Sequence, residues 1–242
     1  MIAAIVPAAG AGVRMEAAQP KQFLPLGGRP LLVHTLERLS ASPLLETVVV
    51  VVPADWVAKA RAELVEPYGL AKVGAIVAGG GERQDSVAAG LESLPSEAEL
   101  VVVHDGVRPF VTQAMVAAVV EAARSVGAAA AAIPVTDTVK RVADGAVVET
   151  ISRDGLFRLQ TPQAFRREVL AEAIERARSD GVVATDDSTL VERLGLPVRV
   201  VAGAEFNLKV TTVEDWSLAE EILKSLERSE SASETSAEGA RA

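Results

Sequence analysis

The chain has no cysteine and only 3% aromatic residues. The first absence excludes disulfides, thiolate catalysis and cysteine-ligated zinc. The second argues against a platform for stacking single-stranded bases. Two histidines in 242 residues leave little material for a histidine-rich zinc hydrolase or a His-based triad, and the Gly-x-Ser-x-Gly elbow of a serine hydrolase does not occur. No apolar run reaches the roughly 18 residues that cross a bilayer, and no basic start leads into an apolar stretch and a cleavage site. The expectation is a soluble cytoplasmic protein with no membrane partner. Positive charge is also in deficit. The net charge of -9 speaks against general nucleic-acid binding, although a few placed cations can still dominate the field at a small anionic ligand.

Apolar residues make up 49% of the chain, so a large core of Val, Leu, Ile and Ala is available. The pattern alternates apolar strands with helices, as in a parallel α/β sheet. Strands are expected at Ile2 to Val6, Thr47 to Val52, Ala71 to Val77, Glu99 to Val103, Ala128 to Pro134 and Val198 to Val201. Phe206 to Val210 reads as a further short strand. Five consecutive valines from Val48 suit a strand covered on both faces. Helices follow Pro30, Pro53, Gly81, Thr112 and Arg166; a short one follows Thr185-Asp186, and a last one runs from Thr212 to about Leu226. The rhythm breaks after Val135. There, Thr136 to Val142 and Ala146 to Ile151 flank Asp144-Gly145, a hairpin signal. Such a projecting arm (about 135–157) is expected to pack on a partner, giving a homodimer. Residues 1–227 read as one domain and the Ser, Glu and Ala of 228–242 as a disordered tail.

The chemistry concentrates near the start. Strand Ile2 to Val6 runs into a small-residue loop with Gly10 and Gly12, then Arg14 and Lys21. Such a loop lets the backbone approach a ligand and turn its N–H groups on an anion. A dinucleotide fingerprint would need glycine where Met15 stands, and a Walker loop would need Gly before Lys21, which follows Pro20. A second glycine loop, Gly79-Gly80-Gly81, enters a helix with Ser86. Asp105 ends a strand beside Arg108, a set suited to Mg²⁺ and an anion; a local ion pair is the plainer alternative. With Arg153 and Lys209, these cations suit a triphosphate and a second phosphate, and phosphoryl transfer is mostly positioning and charge stabilisation. An ionised phosphate as nucleophile needs no general base.

Pro7-Ala-Ala-Gly-Ala-Gly-Val-Arg-Met15 with Pro20-Lys-Gln22 resembles the signature loop of the cytidylyltransferases that act on polyol phosphates, most closely the 2-C-methyl-D-erythritol 4-phosphate cytidylyltransferase family. The resemblance continues through Gly79-Gly-Gly-Glu-Arg83, His104-Asp-Gly-Val-Arg-Pro109, Pro134-Val-Thr-Asp-Thr-Val-Lys140, Arg153-Asp-Gly-Leu156, Thr161-Pro-Gln163, Thr185-Asp186 and Asn207-Leu-Lys-Val-Thr211, to about residue 226. It implies a Rossmann-like, mostly parallel sheet with helices on both faces and a dimerising β-arm. It implies CTP near Ala8, Ala9, Gly10 and Gly12, with Gly80 and Ser86 reading cytosine. By the same resemblance Arg14, Lys21 and Lys209 are catalytic, Asp105 holds Mg²⁺ and nucleotide, and Arg108, Thr138, Arg153 and Thr185 bind methylerythritol phosphate, Thr138 and Arg153 from the partner's arm. Gly106-Val107 stands where the family commonly has Ala-Ala, and Gly81 and Phe206 where it often has polar residues. Ribitol 5-phosphate as acceptor, or a non-catalytic nucleotide binder of the same fold, are the alternatives.

Overall fold

The computed structural model describes residues 1–10 and 19–239. Its elements follow in chain order. Strand β1 (Ile2–Pro7) precedes a two-residue ribbon, β2 (Pro25–Leu26) and β3 (Arg29–Pro30), then α1 (Leu31–Ser40) and β4 (Thr47–Val52). An irregular helical stretch with α2 (Val57–Ala60) at its centre leads to β5 (Val73–Ala78), α3 (Arg83–Glu92) and β6 (Leu100–Val103). Next come α4 (Gln113–Val126), β7 (Ala128–Pro134), the hairpin β8 (Val139–Ala143) and β9 (Ala146–Ile151), and β10 (Phe157–Arg166). The chain closes with α5 (Arg167–Ser179), α6 (Asp187–Arg193), β11 (Arg199–Ala202) and α7 (Val213–Gly239).

Seven strands form one sheet in the order β11-β7-β10-β6-β1-β4-β5. All neighbours are parallel except at β10, which runs antiparallel to both β6 and β7. Strands β1 and β6 are apolar at every position, and β4 at all but Thr47, because both faces are covered,. Successive side chains alternate faces, and the core divides accordingly. Ala4, Val6, Val48, Val50 and Val52 pack with Leu32, Leu36 and Leu39 of α1 and Val116, Val119 and Val120 of α4. Ala3, Ile5, Val49 and Val51 pack with Val87 and Leu91 of α3, Leu170 and Ile174 of α5 and Leu190 of α6. A third cluster joins Leu26, Leu31, Phe110 and Val210 to Ala219 and Leu223 of α7.

Two features position the site. The chain leaves β1 for β4 and β5 on one side and returns with β6 on the other. The ends of β1 and β6 therefore diverge at a switch point, where open α/β sheets bind ligands. The arm β8–β9 stands outside the main sheet as its own ribbon. Its turn places Asp144 at φ 50° and Gly145 at φ 78°, the positive pair that a tight hairpin turn requires.

Phe206 to Val210 is not a strand: among the described residues no sheet edge pairs with it. Its backbone is tied instead by the Arg108 guanidinium, which donates to the Asn207 carbonyl at 2.8 Å, and by the Val210 N–H, which donates to the Val107 carbonyl at 2.9 Å; the Asn207 side chain donates in turn to the Thr161 carbonyl at 2.8 Å. The sequence also gives no sign that β10 would insert antiparallel between β6 and β7. At the other end, α7 passes Leu226 and continues to Gly239, through a stretch whose Ala and Glu are good helix formers but which has no apolar stripe.

Candidate active site

Two adjoining clefts, each about 490 Å³, open at the carboxyl ends of β1, β5 and β6. Arg83, Asp105 and Lys209 line both and form their common wall.

The first cleft is floored by small residues, with Lys21, Gln22, Glu82 and the shared wall around them. Pro7, Ala8, Ala9 and Gly10 follow β1; Gly80 and Gly81 follow β5; Lys21 and Ser86 face them. The loops lie so close that a Cβ on Gly79 would fall 2.3 Å from Ala9 Cβ and 2.6 Å from Ser86 Oγ. Gln22 couples the Lys21 turn to the β1 loop, its Nε2 donating to the carbonyls of Ala8 at 2.6 Å and Gly10 at 3.1 Å. Phe23 anchors the same turn by stacking on Trp56, with ring centroids 3.6 Å apart. Gly12 and Arg14 lie outside the described residues.

The second cleft is built from side chains: Arg108, Gln160, Thr161, Gln163, Thr185, Asp186, Ser188 and Thr189 surround it. Their polar atoms satisfy one another. Asp186 accepts from Gln163 at 3.0 Å, from Ser188 Oγ at 2.7 Å and from Thr189 N–H at 3.1 Å, the last capping α6. Hydroxyls, amides and a carboxylate around an arginine suit a polyol bearing a phosphate.

Asp105 organises the shared wall. Its Oδ1 accepts from Arg83 Nε at 3.1 Å; its Oδ2 meets Lys209 Nζ at 3.0 Å and Arg108 Nε at 3.4 Å. Burial would raise this carboxyl's pKa, but Arg83, Lys209 and Arg108 together hold it well below the usual range. Arg83 also donates to Asp187 at 2.7 Å. Burial opposes the Arg83 charge, yet the two carboxylates outweigh it and raise its pKa. Burial likewise pushes the Asp187 carboxyl up against the pull of Arg83. Beneath the wall, burial lowers the His104 imidazole to about 4; its Nε2 donates to the Arg108 carbonyl at 3.0 Å, which leaves it neutral and structural. His34 on α1 is likewise bonded to a backbone carbonyl, that of Leu26.

Among the described residues no three His, Asp or Glu come together as a metal cage. Mg²⁺ shared with phosphates needs only one or two protein carboxylates. Asp105 Oδ1 accepts a bond from Arg83 Nε and keeps a second lone pair, so the residues fit such an ion.

The expected site residues thus divide. Ala8, Ala9, Gly10, Lys21, Gly80, Ser86, Asp105 and Lys209 meet at the first cleft, and Arg108 and Thr185 line the second. Thr138 and Arg153 line neither: both are exposed beside the arm, and Arg153 donates to the Thr136 carbonyl. Sequence reasoning missed Arg83, Gln22, Gln160 and Asp187 as site-builders. Arg83 and Gln22 stood inside quoted motifs, flanking a glycine loop and a lysine. Gln160 and Asp187 carried no local signal.

Comparison with known proteins agrees with this geometry. The family model described as 2-C-methyl-D-erythritol 4-phosphate cytidylyltransferase matches residues 2–225. A protein of that name from Syntrophus aciditrophicus is 49% identical, over 92% of this chain and 96% of its own. Another from Geobacter metallireducens is 48% identical, over 91% and 97%. Among solved structures, 4-diphosphocytidyl-2C-methyl-D-erythritol synthase from Anaerococcus prevotii superposes with a TM-score of 0.81 at 33% identity, covering 93% of this chain and 96% of that one. The Thermus thermophilus 2-C-methyl-D-erythritol 4-phosphate cytidylyltransferase gives 0.76 at 38%, covering 91% and 98%.

Proposed function

Because this chain belongs to the 2-C-methyl-D-erythritol 4-phosphate cytidylyltransferase family, we propose that it transfers CMP from CTP to 2-C-methyl-D-erythritol 4-phosphate, giving 4-diphosphocytidyl-2-C-methyl-D-erythritol and pyrophosphate. What carries the reading is the common wall: Arg83, Asp105 and Lys209 face a cleft floored by small residues on one side and a hydroxyl-and-amide-lined cleft on the other. That is the arrangement in-line transfer between two bound phosphates needs.

CTP occupies the first cleft over Ala8, Ala9, Gly10 and Gly12, with Gly80 and Ser86 against the base. The acceptor occupies the second, with Arg108 on its phosphate and Thr185 on its polyol. An oxygen of the acceptor phosphate attacks the α-phosphorus; that P–O bond forms as the bond to the β-phosphate oxygen breaks, and pyrophosphate leaves. The attacking oxygen is already ionised, so no side chain removes a proton, in keeping with a neutral His104. Arg14, Lys21 and Lys209 stabilise the charge that accumulates on the α-phosphate. Asp105 would hold Mg²⁺, which supplies charge neutralisation to the phosphates. Lys209 Nζ lies 3.0 Å from Asp105 and lines both clefts.

The arm completes the site in a homodimer. Val142, Val147 and Val148 are each more than half exposed, and burial of such a surface against a second copy brings Thr138 and Arg153 to that copy's acceptor cleft. Residues 1–227 act as the single catalytic domain, in the cytoplasm.

The test is pyrophosphate release from CTP and Mg²⁺ with methylerythritol 4-phosphate and ribitol 5-phosphate compared side by side. Release with the first alone is expected. Release with the second alone would reassign the acceptor, and CTP binding without release would remove the enzymatic reading.

A further inference from the structure

Gln84 lies one residue into α3, the helix that begins at the nucleotide cleft, yet lines neither cleft. Its side chain is buried, turned away from the glycine loop and toward the segment between α5 and α6. There its two ends grip the main chain on either side of Val183. Nε2 donates to the Val182 carbonyl at 3.0 Å, and Oε1 accepts from the Ala184 N–H at 3.1 Å. This is a peptide-like pairing across about a hundred residues of sequence. Among the described residues no other side chain bonds the main chain of 182–185. The next residues, Thr185 and Asp186, line the acceptor cleft. Arg83, beside Gln84, reaches Asp187 in the same segment. The first turn of α3 thus carries the acceptor-side loop on two neighbouring side chains.

We propose that Gln84 is a positioning residue for the acceptor cleft: through Val182 and Ala184 it holds the backbone that presents Thr185 and Asp186. The inference rests on the second cleft being the acceptor's. It has an unusual consequence, since a residue of the nucleotide-side helix acts on acceptor binding and not on CTP. An untethered loop at 182–185 samples other positions, and the acceptor must then select the competent one, which weakens its apparent affinity by the fraction lost.

The experiment is steady-state kinetics of the full chain with CTP, Mg²⁺ and methylerythritol 4-phosphate. Gln84→Met keeps the side chain's length and removes both hydrogen bonds. KM for the acceptor is expected to rise about fivefold, the effect of one to two neutral hydrogen bonds, with kcat and KM for CTP within about twofold of the parent. Gln84→Glu keeps the acceptor for Ala184 N–H and loses the donor to Val182; its acceptor KM is expected between the two, and it decides the matter if the Met variant does not fold. Equal changes in both KM values, or a loss confined to thermal stability, would overturn the proposal by showing a merely structural side chain. Thr185→Ala separates the two readings. If it raises the acceptor KM and the Gln84 variants do not, Gln84 has no such role. If it too leaves the acceptor KM unchanged, the assignment of the second cleft fails and this proposal with it.

Discussion

The two clefts share a wall but are made of different material. The first is floored by small residues at the ends of β1 and β5, brought together until a Cβ on Gly79 would collide with Ala9 and Ser86. The second, proposed for the acceptor, is lined by amides, hydroxyls and Asp186, contributed by the antiparallel β10 and the loop into α6. Backbone recognition demands glycine and alanine at fixed spacing and so writes a motif. Side-chain recognition can be assembled from any segments that the fold brings together, and leaves no local mark.

Replacing Lys21 tests the first cleft most severely. Lys21→Ala removes a cation that lines this cleft and is proposed to stabilise the reacting phosphates, and a fall in kcat of about 10²- to 10³-fold is expected from the loss of one such donor, measured as pyrophosphate release. Asp105→Asn strikes the shared wall. It leaves Arg108 and Lys209 without the carboxylate that balances them, while Arg83 keeps Asp187, so kcat should fall by about 10²-fold and KM should rise for both substrates. An effect on one substrate alone would show that the wall is not shared. Gly79→Ala should act on CTP. Overpacking of this kind costs about 1–3 kcal/mol, to be read as a raised KM for CTP with the acceptor KM unmoved. Thr185→Ala should show the opposite pattern, with acceptor KM up about fivefold for one lost hydrogen bond and CTP unaffected.

The smallest effect on activity, and a separate one on stability, concerns His104 under the wall. Its imidazole is lowered to about 4 in the fold from an unfolded value of about 6.5. The neutral ring's contribution is fully present above about 6.5 and is lost as pH falls toward 4. Unfolding free energy should therefore decline through that window with a slope approaching 1.4 kcal/mol per pH unit, one proton taken up on unfolding. Asp105, held low, keeps its own contribution until more acid pH. A flat stability profile from pH 7 to 4 would contradict the burial of a neutral His104.

What was legible in the chain follows the same division. The parallel strands were readable because continuous Val runs have few alternatives to a doubly covered strand, and the arm because Asp144-Gly145 sits between two β-rich segments. Gly10, Gly80 and Asp105 were readable because each closely follows a strand end, and Lys21 and Ser86 because each stands beside a glycine loop that does. Hidden was whatever depended on tertiary placement. Leu159-Gln160-Thr161-Pro162-Gln163 has no periodicity that would seat it antiparallel between β6 and β7. Phe206 to Val210 has strand-like composition but pairs with no sheet edge among the described residues, and it is held by Arg108, Val107 and the Asn207 side chain. Gln84 and Asp187 look locally like ordinary polar residues of a helix start; only folding shows that each is buried against a segment about a hundred residues away.

Strand β10 has a mechanical side as well. At about 3.3 Å per residue its ten residues form a spar of roughly 33 Å,. Its outer end, Phe157 to Leu159, is exposed just after the arm; its inner end, Ala164 and Phe165, is clamped in the core; and Gln160, Thr161 and Gln163, between them, line the second cleft. Both ends are stitched to β7, and the stitching lapses between Leu159 and Gln163, where the strand borders the second cleft. Arm and cleft therefore hang on one continuous strand, with its loosest seam at the cleft.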